Sequence, residues 1–194
     1  MTFKLIVIGT SLGGLNALQV ILSGLPQNFP VPIAVVQHRH KDSDYTLRAL
    51  LQNCTQLSVK EAEDKEEILA GSVYLAPADY HLLIENKDKT VNYDYFTLST
   101  DAPVTYARPS IDVLFETAAD AYAENVIGVL LTGANQDGVQ GLVRIKARGG
   151  LTIVEEPSTA SCPIMPAAAI TTGVVDKIIP LEDIAFFLVN ICKL

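Results

Sequence analysis

The 194-residue sequence holds only three cysteines, Cys54, Cys162 and Cys192. They are odd in number and far apart, with no C-x-x-C pair, so the chain carries neither a disulfide framework nor the spacing of a zinc or redox site. The expectation is reduced thiols in a cytoplasmic protein, buried as small hydrophobes. Positive charge is also scarce. Fourteen Lys and Arg stand against 22 Asp and Glu, for a net charge of -8. The few basic residues are scattered, which leaves no electrostatic reason to approach a nucleic-acid backbone or an anionic membrane. Long hydrophobic runs are lacking as well. The apolar stretch after Lys4 ends at Gly9, too short for a signal-peptide core or a membrane span.

What the chain does have is evenly spread apolar content, 49% of its residues. That suffices for one ordinary core without a metal or disulfide staple, so residues 1–194 are expected to form a single domain. No repeat, low-complexity tract or linker marks a cut. Residues 3–8, 33–37, 126–131 and 151–154 are short β-branched apolar runs bounded by Gly, Pro or polar turns, the pattern of strands buried on both faces. They alternate with helical patterns at about 14–24, 43–53, 110–123, 138–148 and 181–192. Alternation of this kind predicts an α/β fold, a doubly wound and largely parallel sheet flanked by helices. Between about 58 and 98, "VYLAP", "HLLIE" and "TVNYDYF" are short strand-like pieces that predict a β-hairpin excursion, with "ENKDKT" as its polar tip. A last strand is expected at Val174 to Ile178.

In such a sheet, loops from neighbouring strands converge beyond the strands' carboxyl ends, and ligands and catalytic groups gather there. After the first strand comes G-T-S-L-G, the G-x-S-x-G pattern of an exposed nucleophilic serine in its strand-turn-helix setting. "QHRH" follows the second strand, and "TGANQDG" follows the strand ending at Leu131. A serine, a histidine pair and an aspartate thus each close a different strand. A hydroxyl is a weak nucleophile until an imidazole takes its proton, and the imidazole needs a carboxylate to fix its tautomer and stabilise its cation. The helix expected to start near Gly13 adds unpaired N–H groups beside Ser11, where an oxyanion could be held. Singly, each residue has a bland reading: Ser11 and Asp137 as helix caps, His38 as a hydrogen-bonded strand end. The opening turn lacks the G-x-G-x-x-G of dinucleotide sites and the G-K-[ST] of a P-loop. The chain order serine, histidine, aspartate also differs from those of α/β-hydrolases, chymotrypsin and subtilisin.

These motifs resemble the catalytic domain of the bacterial chemotaxis protein-glutamate methylesterases, the CheB family, over nearly the whole chain. "VIGTSLGGLNAL" is similar to the family's serine loop, "VVQHRH" to its histidine strand and "VYLAPADYHLLI" to its A-P-G-D-x-H segment. "RPSIDVLFETAA" resembles its R-P-S-V-D-x-L-F helix start, and "LLTGANQDGVQGL" its T-G-M-G-x-D-G loop. The stretch "GGLTIVEEPSTASCPIMPAAAI" also matches. The resemblance implies hydrolysis of γ-glutamyl methyl esters on chemoreceptor helices, and in some members deamidation of receptor glutamine. It implies Ser11 as nucleophile, His38 as general base and Asp137 as the acid that orients it, with no cofactor and no metal. Leu12, Gly13 and Ala134 are candidates for the oxyanion site, and Arg108, Ser110 and His81 for the substrate groove. The departures are Leu12 where the family has threonine or alanine, Ala134 for methionine, Gln136 for asparagine and Ala78 for glycine. The family's receiver domain has no room before Phe3. That absence, with residues 12 and 134, motivates a second reading: a non-catalytic module that keeps the fold and binds a signalling partner.

Overall fold

A computed structural model describes residues 2–40, 46–86 and 93–192. Seven strands form a wholly parallel sheet: β1 (Leu5–Thr10), β2 (Ile33–Gln37), β3 (Ser58–Glu61), β4 (Ser72–Leu75), β7 (Val126–Leu130), β8 (Leu151–Glu155) and β9 (Lys177–Ile179). Their spatial order is β3-β4-β2-β1-β7-β8-β9. The remaining two, β5 (His81–Glu85) and β6 (Tyr95–Ser99), make a separate antiparallel hairpin.

The helices are α1 (Gly14–Ser23), α2 (Thr46–Gln52), α3 (Ile111–Tyr122), α4 (Val139–Ala147), α5 (Ile164–Thr171) and α6 (Leu181–Ile191). Successive side chains on a strand point to opposite faces, so each central strand feeds two cores. From β1, Ile6 and Ile8 join the apolar layer under α1, α2 and α6. Leu5 and Val7 join the layer formed by α3, α4, α5 and the hairpin. This two-sided burial is why these strands read as continuous apolar runs instead of alternating ones.

Three details differ from expectation. The hairpin excursion foreseen for 58–98 is confined to β5 and β6, because β3 and β4 pair in parallel and extend the main sheet beyond β2. Parallel pairing is made at long range, and a four-residue strand carries no local sign of it. The tip foreseen at residues 85–90, and the start of the helix foreseen from 43, lie partly outside the described residues. The last strand begins later than Val174. There the Asp176 carboxylate accepts from the Thr152 N–H and hydroxyl, and the regular ladder starts only at Lys177. Helix α5, with Pro163 at its start and Pro166 in its first turn, is not among the expected helices. Both prolines stand where the helix's own N–H groups have no partner, so they are tolerated.

Candidate active site

The chain leaves β1 toward α1 on one face of the sheet, and leaves the neighbouring β7 toward α4 on the other. The strand order therefore switches between β1 and β7, where a crevice opens at the carboxyl ends. Three loops meet there. Thr10 pairs with Gln37 in the β1–β2 register, so Ser11 and His38 are the next residues on adjacent strands. The Ser11 N–H donates to the Thr132 carbonyl at 2.9 Å, which ties the serine turn to the loop after β7.

The serine turn is shaped by close approaches. Gly13 has φ +84°, and a Cβ there would sit 2.5 Å from Cβ of Ser161. Across the crevice, a Cβ on Gly133 would lie 3.1 Å from Cβ of Ser11. Thr132 is the hub of this corner. Its hydroxyl donates to the Leu12 carbonyl and accepts from the Cys162 N–H, both at 2.8 Å. Its own N–H is taken by Glu155 at 2.8 Å. Glu155 is fully buried, and burial pushes its carboxyl up, against the hydrogen bonds from the Thr132 N–H and Thr159.

His38 donates through Nε2 to Oδ2 of Asp137 at 2.8 Å. Asp137 is 0% exposed, and its two oxygens take four donors. Oδ2 also accepts the Ile111 N–H at 2.7 Å. Oδ1 accepts the Ser110 hydroxyl at 2.8 Å and the Asp112 N–H at 3.0 Å. Burial pushes the Asp137 carboxyl up, but the bonds from His38, the two helix N–H groups and Ser110 outweigh it and hold it below the usual value. Asp112 returns the favour by accepting the Gly138 and Gly141 N–H groups at the start of α4, at 2.9 and 2.7 Å. Each of α3 and α4 thus has its first N–H groups bonded by an acid from the other. Buried beside the Asp137 charge, Asp112 is pushed up to about 6.

The other nitrogen of His38, Nδ1, accepts from the Asn135 amide at 3.3 Å. Among the described residues, none hydrogen-bonds the Ser11 hydroxyl. The N–H groups of Leu12, Gly13 and Ala134 likewise have no acceptor among the described residues. Next to His38 lies a cleft of about 460 Å³ lined by Arg39, Asp79, Tyr106, Arg108 and Asn135.

Residues 6–188 match the CheB methylesterase family. The chain belongs to the CheB methylesterase family. A Leptospira interrogans relative bearing the names protein-glutamate methylesterase and protein-glutamine glutaminase is 50% identical over 185 residues, 95% of this chain and 93% of that one. A Thermotoga maritima protein-glutamate methylesterase/protein-glutamine glutaminase is 38% identical over 93% of this chain but 52% of its own length. The crystal structure of the Thermotoga maritima CheB methylesterase catalytic domain superposes with a TM-score of 0.93 at 36% identity, covering 98% of this chain and all of that one.

On this CheB fold, His38 and Asp137 touch and Ser11 stands at the adjoining strand end. Two of the residues expected in a groove sit elsewhere. His81 is 2% exposed and Ser110 fully buried; the His81 ring donates through Nε2 to the Ala102 carbonyl and accepts the Ser110 N–H at Nδ1. They form the support behind Asp137 and do not line the cleft, because Ser110 is the N-cap of α3 and must turn inward. Arg108 does line the cleft, tied to Asp79 at 2.6 Å and to the Thr100 and Asp101 carbonyls. Leu12 is 61% exposed at the rim. Asn135 and Gln37, not singled out from the sequence, touch the His38 ring and backbone. The signal for both was their place beside a candidate residue at a strand end. Among the described residues, no group of His, Cys, Asp and Glu converges to hold a metal ion, and no helix is long and apolar enough to cross a membrane.

Proposed function

We propose that this chain is a serine hydrolase that removes methyl groups from γ-glutamyl methyl esters on chemoreceptor helices in the cytoplasm, with deamidation of receptor glutamine as a companion activity. The observation that carries the reading is the 2.8 Å bond from His38 to a buried, four-fold bonded Asp137, with Ser11 on the neighbouring strand end. Because Nε2–H is committed to Asp137, Nδ1 is the basic nitrogen. Ser11 Oγ attacks the ester carbonyl and passes its proton to Nδ1, which the Asn135 amide gives up, and Asp137 stabilises the resulting imidazolium. The tetrahedral oxyanion takes up the unengaged N–H groups of Leu12, Gly13 and Ala134, where losing one donor costs about 3 kcal/mol of barrier. The imidazolium protonates the departing methoxide, and methanol leaves. Water then attacks the acyl-enzyme by the same route, releasing the glutamate carboxylate and restoring Ser11.

Replacing Ser11 by alanine is expected to abolish methanol release from methylated receptor membranes and to leave the melting temperature nearly unchanged. Wild-type release from that variant would reject the assignment. The exposed Leu12 beside an unpaired Ser11 hydroxyl favours one rival, the non-catalytic signalling module. A folded protein that takes no serine-directed phosphonate on Ser11 would select it.

A further inference from the structure

The Gln37 amide lies beneath both reactive residues. Its Nε2 sits 2.9 Å from the Ser11 carbonyl and 2.9 Å from the His38 carbonyl. Both are acceptors, so the amide must present its NH2 end, and its two protons serve one carbonyl each. Oε1 is buried without a hydrogen-bond partner and lies against Gly14, where a Cβ would come within 2.0 Å of it. Ser11 and His38 are 26 and 1 residues from Gln37 in the chain. Past the Thr10–Gln37 pair, the last backbone bond between their strands runs from the His38 N–H to the Thr10 carbonyl at 3.0 Å, and the Ser11 and His38 carbonyls lie beyond it.

We infer that Gln37 is a positioning residue, a side-chain bridge that continues the strand pairing by one step and sets the distance from the Ser11 hydroxyl to the His38 ring. The inference rests on the roles proposed above for Ser11 and His38, and it adds a part that touches neither substrate nor the reacting atoms. Its physical basis is that an acyl transfer between two loop residues is sensitive to misplacement of about 1 Å, a change that can cost roughly a hundredfold in rate. A side chain that joins the Ser11 and His38 carbonyls confines that error one step beyond the sheet's last bond, from the His38 N–H to the Thr10 carbonyl.

The test uses the whole chain and a neutral serine-directed phosphonate, so it does not depend on the native substrate. Gln37→Met keeps the length and apolar bulk of the side chain but removes the donors; Gln37→Glu puts a carboxylate against two carbonyls. Both are expected to lower the phosphonylation rate of Ser11, and kcat for an ester, by about 10–100-fold, with KM within about twofold of wild type. Gln37→Glu adds a signature that mere loosening would not give. Protonation turns its carboxylate into a donor, so its deficit relative to wild type should shrink as pH falls from about 8 to about 5.5. A folded Gln37→Met or Gln37→Glu variant that reacts at the wild-type rate overturns the bridge, as does a loss carried mainly by KM or a Gln37→Glu deficit that does not move with pH. If Gln37→Met does not fold, the pH signature of Gln37→Glu decides. A wild-type protein that takes up no phosphonate overturns the nucleophile assignment, and the bridge with it. Reactive wild type with reactive variants overturns the bridge alone.

Discussion

Asp137 shows how much of this site is built from single side chains. Each carboxylate oxygen accepts two bonds, so all four hydrogen-bond partners favour the charged carboxylate over a neutral or amide group there. In Asp137→Asn the amide must turn an NH2 toward two donors, whichever way it flips. Esterase kcat is expected to fall by roughly 10⁴-fold, because His38 loses the partner that fixes its tautomer. Stability should drop as well, by about 1–3 kcal/mol for the donors left unpaired. Activity assays on an ester, with a thermal melt of the same sample, check both. Ser11, His38 and Asp137 are legible in the sequence as candidates because Ser11 and His38 directly follow apolar strands and Asp137 lies in the loop after a third, and strand ends are what sequence patterns locate best. Ser110 and His81 are not legible in their actual roles. The sequence shows that they are polar and near a helix start or strand, but only the folded chain shows that they turn inward behind the carboxylate.

Among the elements, the tight turn at the cleft's rim stands apart. Val104 and Ala107 exchange both backbone hydrogen bonds, and the two residues between them, Thr105 and Tyr106, have φ +49° and +63°. A two-residue turn of this hand favours Asn-Gly, since positive φ is costly for residues with a Cβ. Here it carries a tyrosine that is fully exposed and lines the cleft beside His38. Replacing the pair by Asn-Gly is expected to stabilise the protein by about 1 kcal/mol or more, seen as a higher denaturant midpoint. If the tyrosine contacts the receptor helix, the same change raises KM for methylated receptor and leaves the phosphonylation of Ser11 unaltered. Helices α1, α3, α4 and α6 are legible from their apolar spacing. The parallel partnership of β3 with β4 is not, because pairing between short strands is decided by which neighbours remain available once the central strands have assembled.

Over the whole molecule, buried acids pull the pH response in two directions. Asp137 is held below its ordinary pKa, so the stability it contributes is present above that value and is lost as pH falls toward the lowered one. Asp112 goes the other way. Raised from 3.8 to about 6, it contributes stability that is complete below 3.8 and is lost as pH rises through about 6. Glu155, also raised by burial, adds to the loss on the alkaline side. Melting temperature is therefore expected to peak between pH ~4 and ~6. Asp112→Asn keeps an oxygen for the Gly138 and Gly141 N–H groups and removes the charge beside Asp137. It is expected to raise the melting temperature by roughly 3–6 °C at pH ~8 and to change it little at pH ~4. A melt series across that range, wild type against variant, is the measurement.

The register between β1 and β2 reaches beyond assembly of the sheet. Neighbouring strands lie about 4.8 Å apart wherever peptides pair this way, so the gap between the backbones that carry nucleophile and base is inherited from the geometry of the amide itself. Side chains filling the interior can be exchanged for others of like size without altering that gap, which leaves the hydrophobic layers free to vary while the chemistry keeps its scale.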